Sequence, residues 1–226
     1  MQGPLIGLRF LHNAIRSEVA DWEQIADGDD LTDSSKLLTL SQRIAAFEEF
    51  LKEHEGGEDN VFYPAIEEAA PHVVRAYQMD HRSNDRIVEQ MAREIEGLGK
   101  GASGSAGGAA LHRAAVALRA TMDLHLAKEE EHLITLAEEL LSPEQQARVV
   151  GGMAAWTPRE RQPGAYEFLF SRLSIDDGEG LLRVIQAVAP PPAFQGITGI
   201  LAQVLTPTHW SALQQRIPNL TLAPIA

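Results

Sequence analysis

Two stretches of the chain pair a histidine with a glutamate four residues on. His54 and Glu58 lie in LKEHEGGEDNVFYP, residues 51–64, and His125 and Glu129 lie in the shorter LHLAKEEE, residues 124–131. That spacing puts both side chains on one helix face, one turn apart, which is how a helix offers two ligands to one metal site. Single histidines, His12 and His81, stand in the two other long helical segments. The order along the chain is therefore His, His-x-x-x-Glu, His, His-x-x-x-Glu. There is no Cys, which removes iron–sulfur clusters, thiolate zinc sites, thiol nucleophiles and disulfides together. Any metal must be held by imidazole and carboxylate.

The elements that would position these residues are amphipathic helices. Helix one is expected from near Pro4, a residue suited to a first turn, to the acidic stretch at 27–30. Its apolar stripe is Leu8, Leu11, Ile15, Val19 and Trp22, and His12 sits on that stripe. Helix two follows Thr32, Asp33 and Ser34, all good N-caps. Its seam runs Leu37, Leu40, Ile44, Phe47, Leu51, His54, Glu58 in steps of three and four. Such a face is buried against neighbouring helices, so His54 and Glu58 occupy positions where Leu is expected. An ionised carboxylate buried without a partner costs several kcal/mol or neutralises; a bound cation resolves that cost. Gly56 and Gly57 between them point to a tight approach by another group or a local distortion, and Pro64 should kink or end the helix.

Helix three follows Pro71 with the seam Val74, Tyr77, His81, Val88, Met91, Ile95 and Leu98. Residues 97–108, GLGKGASGSAGG, read as a flexible linker. Helix four carries Leu111, Ala115, Leu118, Met122, His125, Glu129, Leu133, Leu136 and Leu140, and ends near Ser142 and Pro143, which open the next helix. Four such segments with short connections predict an all-α, up-down-up-down four-helix bundle over residues 1–145. Counting along the helices at 1.5 Å per residue places His12, His54, Glu58, His81, His125 and Glu129 in one layer to within about 5 Å.

From about Gly151 the composition shifts to Pro, Gly and aromatics, and short helical pieces are expected at 179–188 and 193–205, with a rigid corner at 190–192. Residues 146–226 are read as a helical C-terminal extension with no motif for chemistry. Trp156, Tyr166, Phe168, Phe170, Phe194 and Trp210 supply its core. Outside the layer, His132 is a candidate second-layer partner of Glu129, and Tyr77 lies one turn before His81 on the same seam. His72, His112 and His209 read as surface or capping residues, and Glu130 and Glu131 as solvated charges.

With 19 Lys and Arg against 32 Asp and Glu, the formal charge of -13 argues against a nucleic-acid or anionic-membrane partner. It suits a protein that concentrates cations. No apolar run approaches a membrane span and the N-terminus lacks a signal pattern, so the expected location is cytoplasmic. The Gly-rich stretch has no phosphate-loop pattern, and nothing in the sequence names a protein partner.

Residues 5–145 resemble the hemerythrin-like family, also called the HHE cation-binding domain. The resemblance is carried by LeuHisAsnAlaIle around His12, by residues 54–64, by MetAspHisArg around His81, and by LeuHisLeuAlaLysGluGluGlu around His125. It implies a non-haem di-iron centre with His12, His54, His81 and His125 as terminal ligands, Glu58 and Glu129 as bridges, and an oxo or hydroxo bridge. Glu55 occupies a position that supplies a ligand in some relatives. Family members that carry oxygen reversibly have a fifth His, four residues after the one on helix three; here that position is Asp85. The chain instead resembles the subgroup with four His and a second Glu.

Imidazole and carboxylate suit two iron ions, and manganese or zinc also fit. The implied function is binding of oxygen, peroxide or nitric oxide in sensing, storage or detoxification, including a catalase-like activity. The alternatives are a di-iron oxidase or oxygenase acting on an organic substrate and an iron-regulated interaction protein. No catalytic residue is assigned.

Overall fold

The computed structural model describes residues 3–28, 31–101, 104–217 and 220. Among them the chain is helical, with no strand. Helix α1 spans Ile6–Gly28 and α2 spans Ser34–Gly57; the latter starts where Asp33 accepts hydrogen bonds from the Ser35 and Lys36 amides. It runs on through a π-helical turn, Glu58–Phe62, into the short α3, Tyr63–Ile66. Helix α4 spans Pro71–Gly99. Helix α5, Gly104–Lys128, continues through a second π turn, Glu129–Leu133, into α6, Ile134–Leu140. The bundle is therefore built from α1, α2–α3, α4 and α5–α6.

Cross-helix pairs fix the directions. Glu23 meets Arg119 and His12 meets Glu130, so α1 and α5–α6 are antiparallel. Glu18 with Arg43 and His12 with His54 set α2 antiparallel to α1. Glu58 with His81 sets α2–α3 beside α4, and Tyr77 with Lys128 and Asn84 with Met122 run α4 against α5. This is the up-down-up-down order expected from the sequence.

The remaining helices are α7 (Pro143–Trp156), α8 (Gln162–Arg172), α9 (Ile175–Val188), α10 (Pro191–Val204) and α11 (Pro207–Arg216). Ser142 caps α7 in a reciprocal capping box with Gln145. The prolines at 190–192 do more than turn a corner, because Pro190 caps α10 and Pro191 begins it. Helix α8 packs across both α1 and α2. Its Phe168 and Phe170 join one continuous apolar cluster with Phe47, Leu51 and Met91 of the bundle. Trp156, expected in the extension's core, is instead 44% exposed.

The expected linker at 97–108 is shorter than its composition suggests. Helix α4 reaches Gly99, Gly101 makes the turn at φ 85°, and α5 begins at Gly104; residues 102 and 103 lie outside the described residues. A Cβ on Gly107 would stand 2.7 Å from Leu98 Cδ2, so glycine serves a close helix contact there.

The end of helix four also departs from the seam read in the sequence. Leu133, Ile134 and Ala137 are buried, while Leu140 is 47% exposed. A π turn holds one residue more than an α turn, so the buried face moves on by one position after Glu129.

Candidate metal centre

A polar layer divides the bundle's apolar interior. One cluster includes Ile15, Phe47, Met91 and Leu118; a second, at the other side of the layer, includes Leu8, Phe62, Tyr77 and Leu133. Between them lie His12, His54, Glu58, His81, His125 and Glu129, all buried, with His12, Glu58 and Glu129 fully so. The sequence count placed these six at one height, and the structure brings them together there.

Their ligand atoms form two groups that share Glu58. Glu58, His81, His125 and Glu129 offer atoms within 4.8 Å of one another, and so do His12, His54 and Glu58. Glu58 Oε1 lies 3.3 Å from His54 Nε2 and 3.7 Å from His12 Nε2, while Oε2 lies 3.4 Å from His81 Nε2. Glu129 Oε2 stands 3.5 Å from His12 Nε2 and 3.6 Å from His125 Nε2. Each carboxylate thus reaches imidazoles on both sides.

Both π turns begin at these glutamates. The Tyr63 amide bonds the Glu58 carbonyl and the Ile134 amide bonds the Glu129 carbonyl, each five residues back. Such turns occur frequently at functional sites. The sequence carries no periodic sign of them, although Gly56 and Gly57 hinted at a distortion near the first. The helix ends at Ile66, two residues after Pro64.

Carboxylates stand behind three of the imidazoles, and one of them is hydrogen-bonded. His12 Nδ1 is 2.9 Å from Glu130 Oε1, and Arg16 donates to the same oxygen at 2.7 Å. His81 Nδ1 is 3.2 Å from Asp59 Oδ1, and His125 Nδ1 is 3.5 Å from Asp80 Oδ2. A carboxylate on the far nitrogen fixes the tautomer and orientation of a metal-ligating histidine. Lys128 in turn pairs with Asp80.

Several buried polar atoms in the layer have no hydrogen-bond partner: His12 Nε2, both nitrogens of His54, both oxygens of Glu58, and Glu129 Oε2. Buried polar atoms are normally paired. Of these, His12 Nε2, His54 Nε2, both Glu58 oxygens and Glu129 Oε2 face one another across the layer, nitrogen and oxygen donors of the kind that first-row metals take, so the residues fit a metal ion.

Electrostatics in the layer pull its titratable groups in opposite directions. Burial, with Glu58 beside it, pushes Glu129 up to about 8. Glu58 is held well below the usual carboxylate range: burial opposes this, but the neighbouring imidazoles of His54, His12 and His81 prevail. Burial would lower His12, yet Glu130 and Glu58 raise it to about 9, and Asp59 and Glu58 likewise raise His81 to about 11 against burial. His54 and His125 are lowered to about 4, chiefly by burial.

Glu55 is buried beside the layer, its Oε1 lacking a partner, but it joins neither group of converging atoms. Burial pushes its carboxyl well above the usual range. Asp85 is half-buried nearby. His132 and His72 are exposed, so His132 is no second-layer partner, and His112 and His209 are half-buried away from the layer. Tyr77 does reach the site's margin, donating to the Lys128 carbonyl at 3.0 Å with its ring 5.9 Å from His125.

Glu130 corrects the sequence expectation: it is not a solvated charge but the partner of His12 and Arg16, while Glu131 is exposed as expected. Tyr63 was not foreseen. Fully buried, it stacks on His81 and donates to Glu129 Oε1, with its hydroxyl 3.2 Å from His81 Nε2. Burial and the two carboxylates push its phenol far up, so it keeps its proton.

The sequence matches the model of the hemerythrin HHE cation binding domain over residues 7–137. It is 21% identical over 187 residues to zinc finger protein BRUTUS of Arabidopsis thaliana. That similarity covers 83% of this chain and 15% of the relative, so the chain spans a small part of the relative's length. An alignment of 187 residues cannot fit before residue 146, so it reaches into the C-terminal helices. No solved structure matches the chain. No described helix is long and apolar enough to cross a membrane.

Proposed function

The chain belongs to the hemerythrin HHE cation-binding family, and on that premise we propose that it is a non-haem di-iron protein that binds oxygen, peroxide or nitric oxide in sensing, storage or detoxification. The observation that carries this reading is the sharing of Glu58 between two groups of converging, buried ligand atoms. One ion would be held by His12, His54 and Glu58 Oε1, the other by His81, His125, Glu58 Oε2 and Glu129. Iron bound there supplies a ferrous–ferric couple and open coordination positions for a small ligand.

The chain's own residues do the rest. Glu130 bonds His12 Nδ1, and Asp59 and Asp80 stand as charge partners behind Nδ1 of His81 and His125, so the three rings present Nε2 to the centre. The two apolar clusters exclude bulk water from both sides. Tyr63 holds a proton on its hydroxyl against Glu129 Oε1, next to His81, where it can orient that carboxylate or stabilise a polar ligand.

The test is iron content per chain with the visible spectrum before and after reduction and exposure to oxygen, nitric oxide or peroxide. About two irons per chain with spectra that respond to these ligands is the expected result. Oxygen release from peroxide assigns detoxification, and turnover only with an organic substrate assigns the oxidase alternative. Failure to hold metal after reconstitution overturns the proposal.

A further inference from the structure

The helices after residue 145 follow α2 in register. Met153 lies on Gly57 and Trp156 on Gly56. Arg161, in the turn to α8, pairs with Glu53 at 2.6 Å and Glu49 at 3.3 Å. Phe168 then stacks on Phe50, 4.5 Å between centroids, and on Phe47 at 5.9 Å. Read backwards along α2, the contacted positions are 57, 56, 53, 50, 49 and 47. They make one broad face that meets the seam of His54 and Glu58 at Phe47.

The tightest contact falls between those two residues. A Cβ on Gly56 would stand 2.4 Å from Trp156 Nε1, and one on Gly57 3.4 Å from Met153 Cβ. Gly57 has ordinary helical angles, φ -64° and ψ -40°, and Gly101 is the only glycine with positive φ among the described residues. Backbone freedom therefore does not explain the pair of glycines; close approach does. On the other side of Glu58, Val61 of the π turn meets Gly152, where a Cβ would be 2.8 Å from its Cγ1. Trp156, 44% exposed, lies on the helix without being buried in a core.

We infer that α7 and the start of α8 form a strap that positions the His54–Glu58 turn, with Trp156 and Met153 as positioning residues. This rests on the metal reading above. Coupling of this kind is reciprocal: if docking of α7 sets the angle at which His54 and Glu58 meet an ion, the ion must tighten the docking of α7 by the same factor. The C-terminal helices then belong functionally to the centre rather than forming a separate appendage.

The experiment uses the full chain, titrated anaerobically with Fe(II), with hydrogen exchange of residues 143–156 followed in the metal-free and loaded states. In the wild type, loading should slow exchange in α7. In Gly56→Ala, alanine is the better helix former, so helical content should hold, yet the methyl displaces the indole. Fe(II) affinity should fall about tenfold, a typical coupling, and the metal-dependent protection of α7 should vanish. Trp156→Ala, at a half-exposed side chain, should move both readouts the same way and serves if Gly56→Ala fails to fold; Trp156→Phe should restore part of both. A wild type that loads Fe(II) with no change in α7 exchange, and variants that bind as it does, would overturn the strap and leave the metal reading intact. A wild type that takes up no Fe(II) overturns the metal reading itself, and the strap with it.

Discussion

Tyr63 and Glu129 are joined across the bundle: the phenol hydroxyl donates to Glu129 Oε1 while the same ring lies nearly parallel to His81, 17° between planes and 5.6 Å between centroids. One side chain thereby ties the second His-x-x-x-Glu pair to the histidine of helix three. Tyr63 can do so because of the π turn before it. With a hydrogen bond spanning five residues, the position five after Glu58 comes to lie beneath it.

Replacing Tyr63 with Phe keeps the ring and removes the hydroxyl, leaving Glu129 Oε1 buried without its partner. The metal-free protein should lose about 1–3 kcal/mol, which in a chain of this size is about 2–4 °C of Tm per kcal/mol. The visible spectrum of the iron-loaded variant should also shift. Thermal unfolding of the metal-free variant checks the first expectation; an unchanged Tm and spectrum would mean the contact is incidental.

The parts of this site that a sequence shows are those that repeat at helical spacing. His12, His54, His81 and His125 stand out because each interrupts an apolar seam, and Asp33 and Ser142 mark helix starts by their capping chemistry. Tyr63 escaped because a period of 3.6 residues puts position 62, not 63, under Glu58. The same assumption put Leu136 and Leu140 on a seam that passes to Ile134 and Ala137. Glu130 escaped for a different reason. Its partners, His12 and Arg16, are more than a hundred residues away, and nothing local separates it from exposed Glu131.

Glu130 should therefore matter where Glu131 does not. Glu130→Ala removes the acceptor behind His12 and releases Arg16, and loss of such an outer partner typically weakens metal binding about 10–100-fold. Glu131→Ala should bind as the wild type does. Competition with a coloured chelator reads both constants, and equal affinities for the two variants would contradict the role given to Glu130.

The shared carboxylate separates the seven candidate residues by their metal count. Glu58→Ala touches both ligand groups and should leave well under one metal per chain, whereas His54→Ala should spare the group around His81 and retain about one. Glu55→Gln, outside both groups, should still load about two. Elemental analysis after reconstitution decides this, and a Glu55→Gln protein stripped of metal would move Glu55 into the ligand set.

Glu18 predicts an acid-sensitive part of the stability. Fully buried, it accepts hydrogen bonds from Nε and one terminal nitrogen of Arg43, each at 2.8 Å, from the Trp22 indole at 2.9 Å, and from Arg172 of α8. Burial alone would raise its pKa, but the two guanidinium groups hold it below the usual value. A lowered folded pKa contributes stability above the unfolded value near about 4.3 and loses it as pH falls through the folded value. Glu18→Gln should cost about 3 kcal/mol at pH 7, the low end for a broken buried pair because both arginines keep solvent contact. The difference from wild type should shrink below pH 4, and a difference independent of pH in urea unfolding would contradict it.

Metal uptake should release protons and strengthen as pH rises. In the metal-free layer His12 titrates near about 9, His81 near about 11 and Glu129 near about 8, so at pH 7 all three hold protons that ligation requires them to lose. Each proton displaced makes affinity rise up to about tenfold per pH unit, continuing until the groups lose their protons unaided. Chelation should have the converse effect on stability. With free metal at about a thousand times its dissociation constant, one site contributes about 4 kcal/mol, so the stripped protein should melt about 8–16 °C lower. Calorimetric titration with Fe(II) in two buffers of different ionisation heat gives the proton count directly. A count of zero at pH 7 would mean that the imidazoles and Glu129 are already free of protons, and that the carboxylates behind His12 and His81 do not hold those rings charged.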